Sequence, residues 1–194
     1  DAEGKKYQNE QTPMLPQSPY ACSKLCSHHM VHIYRHSYNL FGCSGILFNH
    51  ESPRRGANFV TRKITIYLAK LLNGLINKDE KLRLGNIEAY RDWGHAQDYV
   101  KSMHMILNHD IPDDYVIATG KTHSVKDFLK EAFQLFDLDY NNHIQIDPEF
   151  YRPCEVEFLK GDATKAKETL GWKPEYNFHK LVANMVYSDL ELFK

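Results

Sequence analysis

Nowhere in these 194 residues is there a G-x-G-x-x-G or a G-x-x-x-x-G-K-[ST] stretch. Such turns let backbone N–H groups close on a diphosphate, so any anion met by this chain is gripped by side chains, and a nucleotide cofactor would find its diphosphate loop elsewhere. Charge of one sign is missing too: 24 Lys and Arg stand against 25 Asp and Glu, a formal net charge of -1. That balance excludes the strongly basic field of a nucleic-acid binder. No run approaches the roughly 18 apolar residues of a membrane-spanning helix. The four cysteines, Cys22, Cys26, Cys43 and Cys154, form no C-x-x-C and no zinc-ligand spacing, and none is expected to follow a secretory signal. Reduced thiols in a cytoplasmic protein are therefore expected.

What is present is enough apolar residue, 42%, for a sizeable core. The opening segment DAEGKKYQNEQTPMLP is polar, broken by prolines and starts at Asp1, so the chain is expected to begin partway through a longer one. Ser18 followed by Pro19 marks a helix start. Ala21, Leu25, Cys26, Met30, Ile33 and Tyr34 then repeat at helical spacing to about residue 38. GCSGILF (42–48) reads as a short parallel strand buried on both faces, and NHESPRRG as the loop at its carboxyl end. Further helices are predicted over 58–75, 95–107, 124–136 (Ser124 and Asp127 in capping-box spacing), the DATKAKETLGW stretch up to Gly171, and the C-terminal FHKLVANMVYSDLELF. Strands are predicted at LRLG (82–85), YVIATG (115–120) and HIQID. Alternating strands and helices make this an α/β fold with a parallel sheet.

Four stretches carry chemistry. Tyr20 and Lys24 lie one helical turn apart, where an ammonium favours a phenolate able to move a hydroxyl proton; the competing reading is coincidence among 12 tyrosines. Asn49, His50, Arg54 and Arg55 follow a parallel strand, the place where open α/β sheets bind ligands, or else form a solvated basic loop. In Y-R-D-W-G-H, Arg91 is suited to a diphosphate and Asp92 to anchoring a neighbouring turn, or the two form a structural pair. Y-R-P-C-E offers Arg152 for phosphate and Glu155 for ribose hydroxyls, or is a surface turn. His28, His29, His32 and His36 read as a polar helix face rather than metal ligands. Met103 and Met105 read as core or near-core residues.

Together SPYACSK, GILFNHESPRRG-NFVTRKI, LGNIEAYRDWGHAQDYV, VIATGKTHSV and RPCEVEFLKGDATKAKETLGWKP resemble the extended short-chain dehydrogenase/reductase family acting on nucleotide sugars, and within it the GDP-mannose 4,6-dehydratases. The resemblance covers nearly all of the chain after about Thr12. It implies a partial Rossmann-like, doubly wound parallel sheet plus a smaller C-terminal substrate-binding α/β region. Residues 1–57 would be the remainder of the NADP-binding domain, and 58–194 mainly the GDP-sugar-binding region, with some segments returning to the sheet. It further implies conversion of GDP-mannose to GDP-4-keto-6-deoxymannose and water through transient hydride transfer to bound NADP. Tyr20 matches the proton-transfer tyrosine and Lys24 the lysine on the nicotinamide ribose; both, with His50 and Arg55, match cofactor contacts. Asn49, Lys63, Arg91, Arg152 and Glu155 match positions around the GDP-sugar. Dimers or tetramers of a cytoplasmic enzyme are implied, with no nucleic acid, membrane or metal.

The family's glycine-rich loop, its Thr or Ser partner of the tyrosine and its dehydration Glu would all precede Asp1. The chain alone is therefore expected to be inactive, with an open sheet edge prone to aggregation. Another NDP-sugar epimerase or dehydratase, and a non-catalytic nucleotide-sugar-binding fragment, remain as alternatives.

Overall fold

The computed structural model of the chain describes residues 7–151 and 156–194. Helix α1 (Pro19–Tyr38) begins where Ser18 accepts from the Ala21 N–H at 3.0 Å, and ends at Asn39 in the left-handed region. The helix is as predicted but buries no residue: Met30, Ile33 and Tyr34 of the apolar stripe are exposed. It is tied to the body by Arg35, which donates to the Gly42 carbonyl at 2.7 Å and pairs with Asp114.

The chain then runs extended over residues 45–51. Its first half, β1 (Gly45–Leu47), pairs in parallel with β6 (Tyr115–Ile117), and its second half, β2 (Asn49–Glu51), with β5 (Trp93–His95). The start of NHESPRRG is thus strand rather than loop, because Trp93, Gly94 and His95 supply a second partner beyond the end of β6. β1 is only half-buried, not sealed on both faces: it has one neighbour, β6, among the described residues. β3 (Leu82–Leu84) pairs in parallel with β8 (Ile144–Ile146), and β4 (Tyr90–Arg91) is antiparallel to β7 (His123–Ser124).

Two apolar clusters hold these pairs. In the larger, α2 (Val60–Leu72), α4 (Val125–Gln134) and α6 (Phe178–Leu192) bury Ile64, Leu68, Phe128, Phe133, Val182 and Met185. The smaller joins α3 (Ala96–Leu107), β6 and α5 (Thr164–Leu170) through Tyr99, Ile106, Tyr115 and Trp172, with Leu47 against it. The capping box at Ser124 and Asp127 forms as read from the sequence, and Gly171 ends α5 at φ 69°. On α3 the buried face is Asp98, Tyr99, Ser102 and Ile106, so Val100 and Met103 point to solvent.

His123 stacks on Phe178, rings 3.7 Å apart at 5°. Burial lowers its pKa below 6.5, more than nearby carboxylates raise it, and His143 shifts the same way for the same first cause. A histidine depressed in the folded state contributes stability fully above its unfolded value and loses it as pH falls through the folded one. Urea midpoints are therefore expected to drop as pH is lowered through about 6.5 and below. His123→Phe, which keeps the stack, is expected to flatten that slope; an unchanged slope would count against His123 as its source.

Candidate functional site

Alternation along two extended stretches sorts the candidate residues. Side chains of a strand point to opposite faces in turn. On β2 this puts Asn49 and Glu51 into a cleft of about 380 Å³, while His50 turns away and stacks on the buried ring of Tyr99 at 4.8 Å. On the β4–β5 stretch it puts Ala89, Arg91 and Trp93 into the same cleft and sends Asp92 the other way. The first turn of α2 adds Thr61 and Lys63, and the preceding loop adds Arg55, Asn58 and Phe59. Four cations, Arg55, Lys63, Arg83 and Arg91, thus face one acid, Glu51. Such a cleft in a near-neutral protein suits a ligand with more than one negative charge. A larger hollow of about 470 Å³ beside Thr119, Lys167 and Trp172 contains none of the candidate residues, so size alone does not locate the site.

Glu51 is 2% exposed. Thr61 donates to its Oε2 at 2.6 Å, and Arg55 Nε lies 3.2 Å from the same oxygen. Burial raises the Glu51 pKa; the Thr61 hydrogen bond and the Arg55 charge pull it back. The Arg55 guanidinium lies over the Phe59 ring, 3.6 Å from its centroid, so its plane is fixed by an acid and an aromatic face. Arg83 is largely committed to Asp147, donating from Nε at 2.6 Å. Phe150, which also lines the cleft, has Lys63 and Arg83 within 5.3 and 5.5 Å of its ring.

Behind the cleft, Asp92 does anchor a turn. It is fully buried and accepts from the Thr119 N–H (2.9 Å), the Thr119 hydroxyl (2.6 Å), the Gly120 N–H (2.9 Å) and the Gly161 N–H (3.1 Å). His50 Nδ1 lies 2.8 Å from the Phe48 carbonyl, so the ring donates there and Nε2 is left as an acceptor. Tyr20 is 71% exposed on α1, with the Lys24 ammonium 5.5 Å from its ring centroid. Neither lines the cleft. The candidates Arg152 and Glu155 lie outside the described residues.

The family model described as GDP-mannose 4,6 dehydratase matches residues 2–185. The chain belongs to the GDP-mannose 4,6 dehydratase family. It is 55% identical over 187 residues to GDP-mannose 4,6 dehydratase 1 of Arabidopsis thaliana, covering 96% of this chain and 51% of that protein. To the Homo sapiens GDP-mannose 4,6 dehydratase it is 47% identical over 204 residues, covering 96% and 54%. It thus spans about half the length of the curated relatives it matches. Among solved structures it superposes on RMD from Pseudomonas aeruginosa complexed with NADPH, with a TM-score of 0.84, 20% identity and coverage of 95% and 60%. UDP-glucuronic acid 4-epimerase from Bacillus cereus gives 0.83 at 17% identity, covering 97% and 57%. These likenesses establish the fold, a partial Rossmann-like α/β arrangement.

Within that family framework, the cleft unites Asn49, Lys63 and Arg91 with Arg55, read from the sequence as a cofactor contact. Glu51, Thr61, Phe59, Arg83 and Phe150 were not singled out. Glu51 had one legible signal, an acid four residues before an arginine; the others reach the cleft only through tertiary packing.

Proposed function

We propose that the chain is the nucleotide-sugar-binding part of a GDP-mannose 4,6-dehydratase, converting GDP-mannose to GDP-4-keto-6-deoxymannose and water. The convergence of Asn49, Lys63 and Arg91 beside Arg55 in one cationic cleft, in a member of this family, carries the reading. Arginine forks and a lysine meet the diphosphate, and Asn49 offers both a donor and an acceptor to a sugar or phosphate oxygen. Arg152 and Glu155 are assigned by resemblance to the same ligand.

The cofactor is proposed to be NADP. Tyr20, Lys24 and His50 fit its nicotinamide-ribose end, with a phenol, an ammonium and an imidazole acceptor. No glycine-rich turn is available for its diphosphate, so that grip must come from outside these 194 residues. When bound, the nicotinamide takes and returns a hydride. The division into 1–57 and 58–194 is proposed with segments of the latter returning to the sheet: β1 packs with α3, β6 and α5, whereas α2, α4 and α6 form a separate core. The protein outside this chain is proposed to cover the exposed face of α1, and the whole enzyme to be a cytoplasmic homo-oligomer. Among the described residues no helix is long and apolar enough to cross a membrane.

Calorimetry with GDP, GDP-mannose and UDP-glucose tests the cleft. GDP and GDP-mannose are expected to bind, and Lys63→Met to weaken both about 10-fold, the loss of one charge-assisted contact. Preference for UDP-glucose would favour another NDP-sugar epimerase or dehydratase. GDP binding by a full-length protein without turnover would favour a silent binding module.

A further inference from the structure

The loop over 52–59 reaches the cleft on short local bonds: Arg55 N–H to Ser52 O (2.9 Å), Arg54 N–H to Ser52 Oγ (3.1 Å) and Phe59 N–H to Gly56 O (3.1 Å). The Arg55 side chain lies against Glu51 and Phe59, but its backbone carbonyl is held from another element. Arg62, in the first turn of α2, donates through Nη1 to the Arg55 carbonyl at 2.8 Å. Its remaining arms fork onto Asp189 of α6: Nε at 3.0 and 2.9 Å from the two carboxylate oxygens, Nη2 at 2.7 Å from Oδ1. Asp189 is fully buried and is itself held by the Thr65 hydroxyl at 2.6 Å. The Arg62 side chain is 11% exposed, so it has little freedom to leave this arrangement. A guanidinium can serve a carboxylate and a carbonyl at once from one rigid plane, which an ammonium cannot. The terminal helix therefore reaches the loop through one side chain.

We propose that Arg62, oriented by Asp189, is a positioning residue for Arg55, holding the 52–59 loop so that a phosphate-bearing ligand meets the Arg55 guanidinium already in place. The proposal rests on the reading of the cleft as a nucleotide site. Preorganisation of this kind lowers the ordering cost of binding without adding a contact.

Arg62→Lys keeps the cation beside Asp189 and gives up the simultaneous grip on the Arg55 carbonyl. In this chain and in the full-length protein, the expected result is a melting temperature within a few degrees of wild type. Amide exchange over 52–59 should quicken at least about 10-fold while exchange in the α4 and α6 core stays put. Dissociation constants are read separately for GDP, NADP and guanosine. One phosphate-bearing ligand should weaken about 10-fold and identify whose phosphate Arg55 meets, with guanosine unaffected. Asp189→Asn, which loosens the anchor but retains Arg62, should quicken the same loop; should it not fold, Arg62→Lys decides alone. Unchanged loop exchange, or wild-type affinity for both GDP and NADP, overturns the proposal. A wild-type protein that binds neither overturns the reading of the cleft, while loop exchange still decides the role of Arg62.

Discussion

Asp92→Asn, a change of one atom, is expected to destabilise the chain by roughly 2–6 kcal/mol, nearly as much as Asp92→Ala. The reason lies in what surrounds the carboxylate. Oδ1 takes the Thr119 N–H and hydroxyl, and Oδ2 takes the N–H groups of Gly120 and Gly161. An amide supplies only one oxygen. Whichever way asparagine is turned, its NH₂ faces donors, and buried donors are left without an acceptor at about 1–3 kcal/mol each. The surroundings have no room to relax: a Cβ on Gly161 would lie 2.2 Å from that of Ala118, and Gly120 sits at φ 74°. Against a typical stability of about 5–15 kcal/mol, such a loss leaves a marginal fold. Denaturant unfolding of wild type, Asp92→Asn and Asp92→Ala measures it. An asparagine variant within about 1 kcal/mol of wild type would show that the pocket tolerates a donor and that the anchoring account is wrong.

Asp92 also shows how far sequence reasoning reaches. Its anchoring role was legible as one of two options, because a carboxylate beside an arginine either pairs with it or accepts from a neighbouring turn. Its partners were not, since Thr119 and Gly161 lie 27 and 69 residues away in the chain. Helices were readable for a related reason: Ser18, Ser124 and Gly171 act within a turn of themselves, so the signal and its effect share one stretch. Strand pairing lacks that locality. NHE becomes a strand only because Trp93, Gly94 and His95 lie alongside it. The division of His50 from Asn49 and Glu51 follows from alternation alone, but only once NHE is known to be extended. The apolar stripe of α1 was read correctly as helical, yet its exposure was invisible in sequence, because periodicity records which side chains share a face and not whether anything covers it.

That exposed helix leads to the last expectation. In a full-length protein of this family Tyr20→Phe is expected to lower kcat about 10²–10⁴-fold, while the 194-residue chain alone gives no turnover of GDP-mannose. Tyr20 and Lys24 project from one turn of α1, the ammonium lying over the ring at 5.5 Å and the phenol 71% exposed. In water a phenol keeps its proton at neutral pH and any transfer competes with solvent. A protein part lying over the helix, as proposed above, would exclude that water from the transfer. A proton-transfer hydroxyl would act on a proton in transit and contribute little to ground-state binding, so on that proposal kcat and kcat/KM should fall together with KM nearly unchanged. Lys24→Met, which leaves the hydroxyl in place, should lower kcat less than Tyr20→Phe does. His50 offers an internal contrast: fixed by Phe48 and Tyr99 within this chain, it needs no cover to hold its orientation, so His50→Ala should chiefly weaken NADP binding. A Tyr20→Phe enzyme retaining a tenth or more of wild-type kcat would remove Tyr20 from the proton-transfer step, and turnover by the isolated chain would remove the need for any part beyond it.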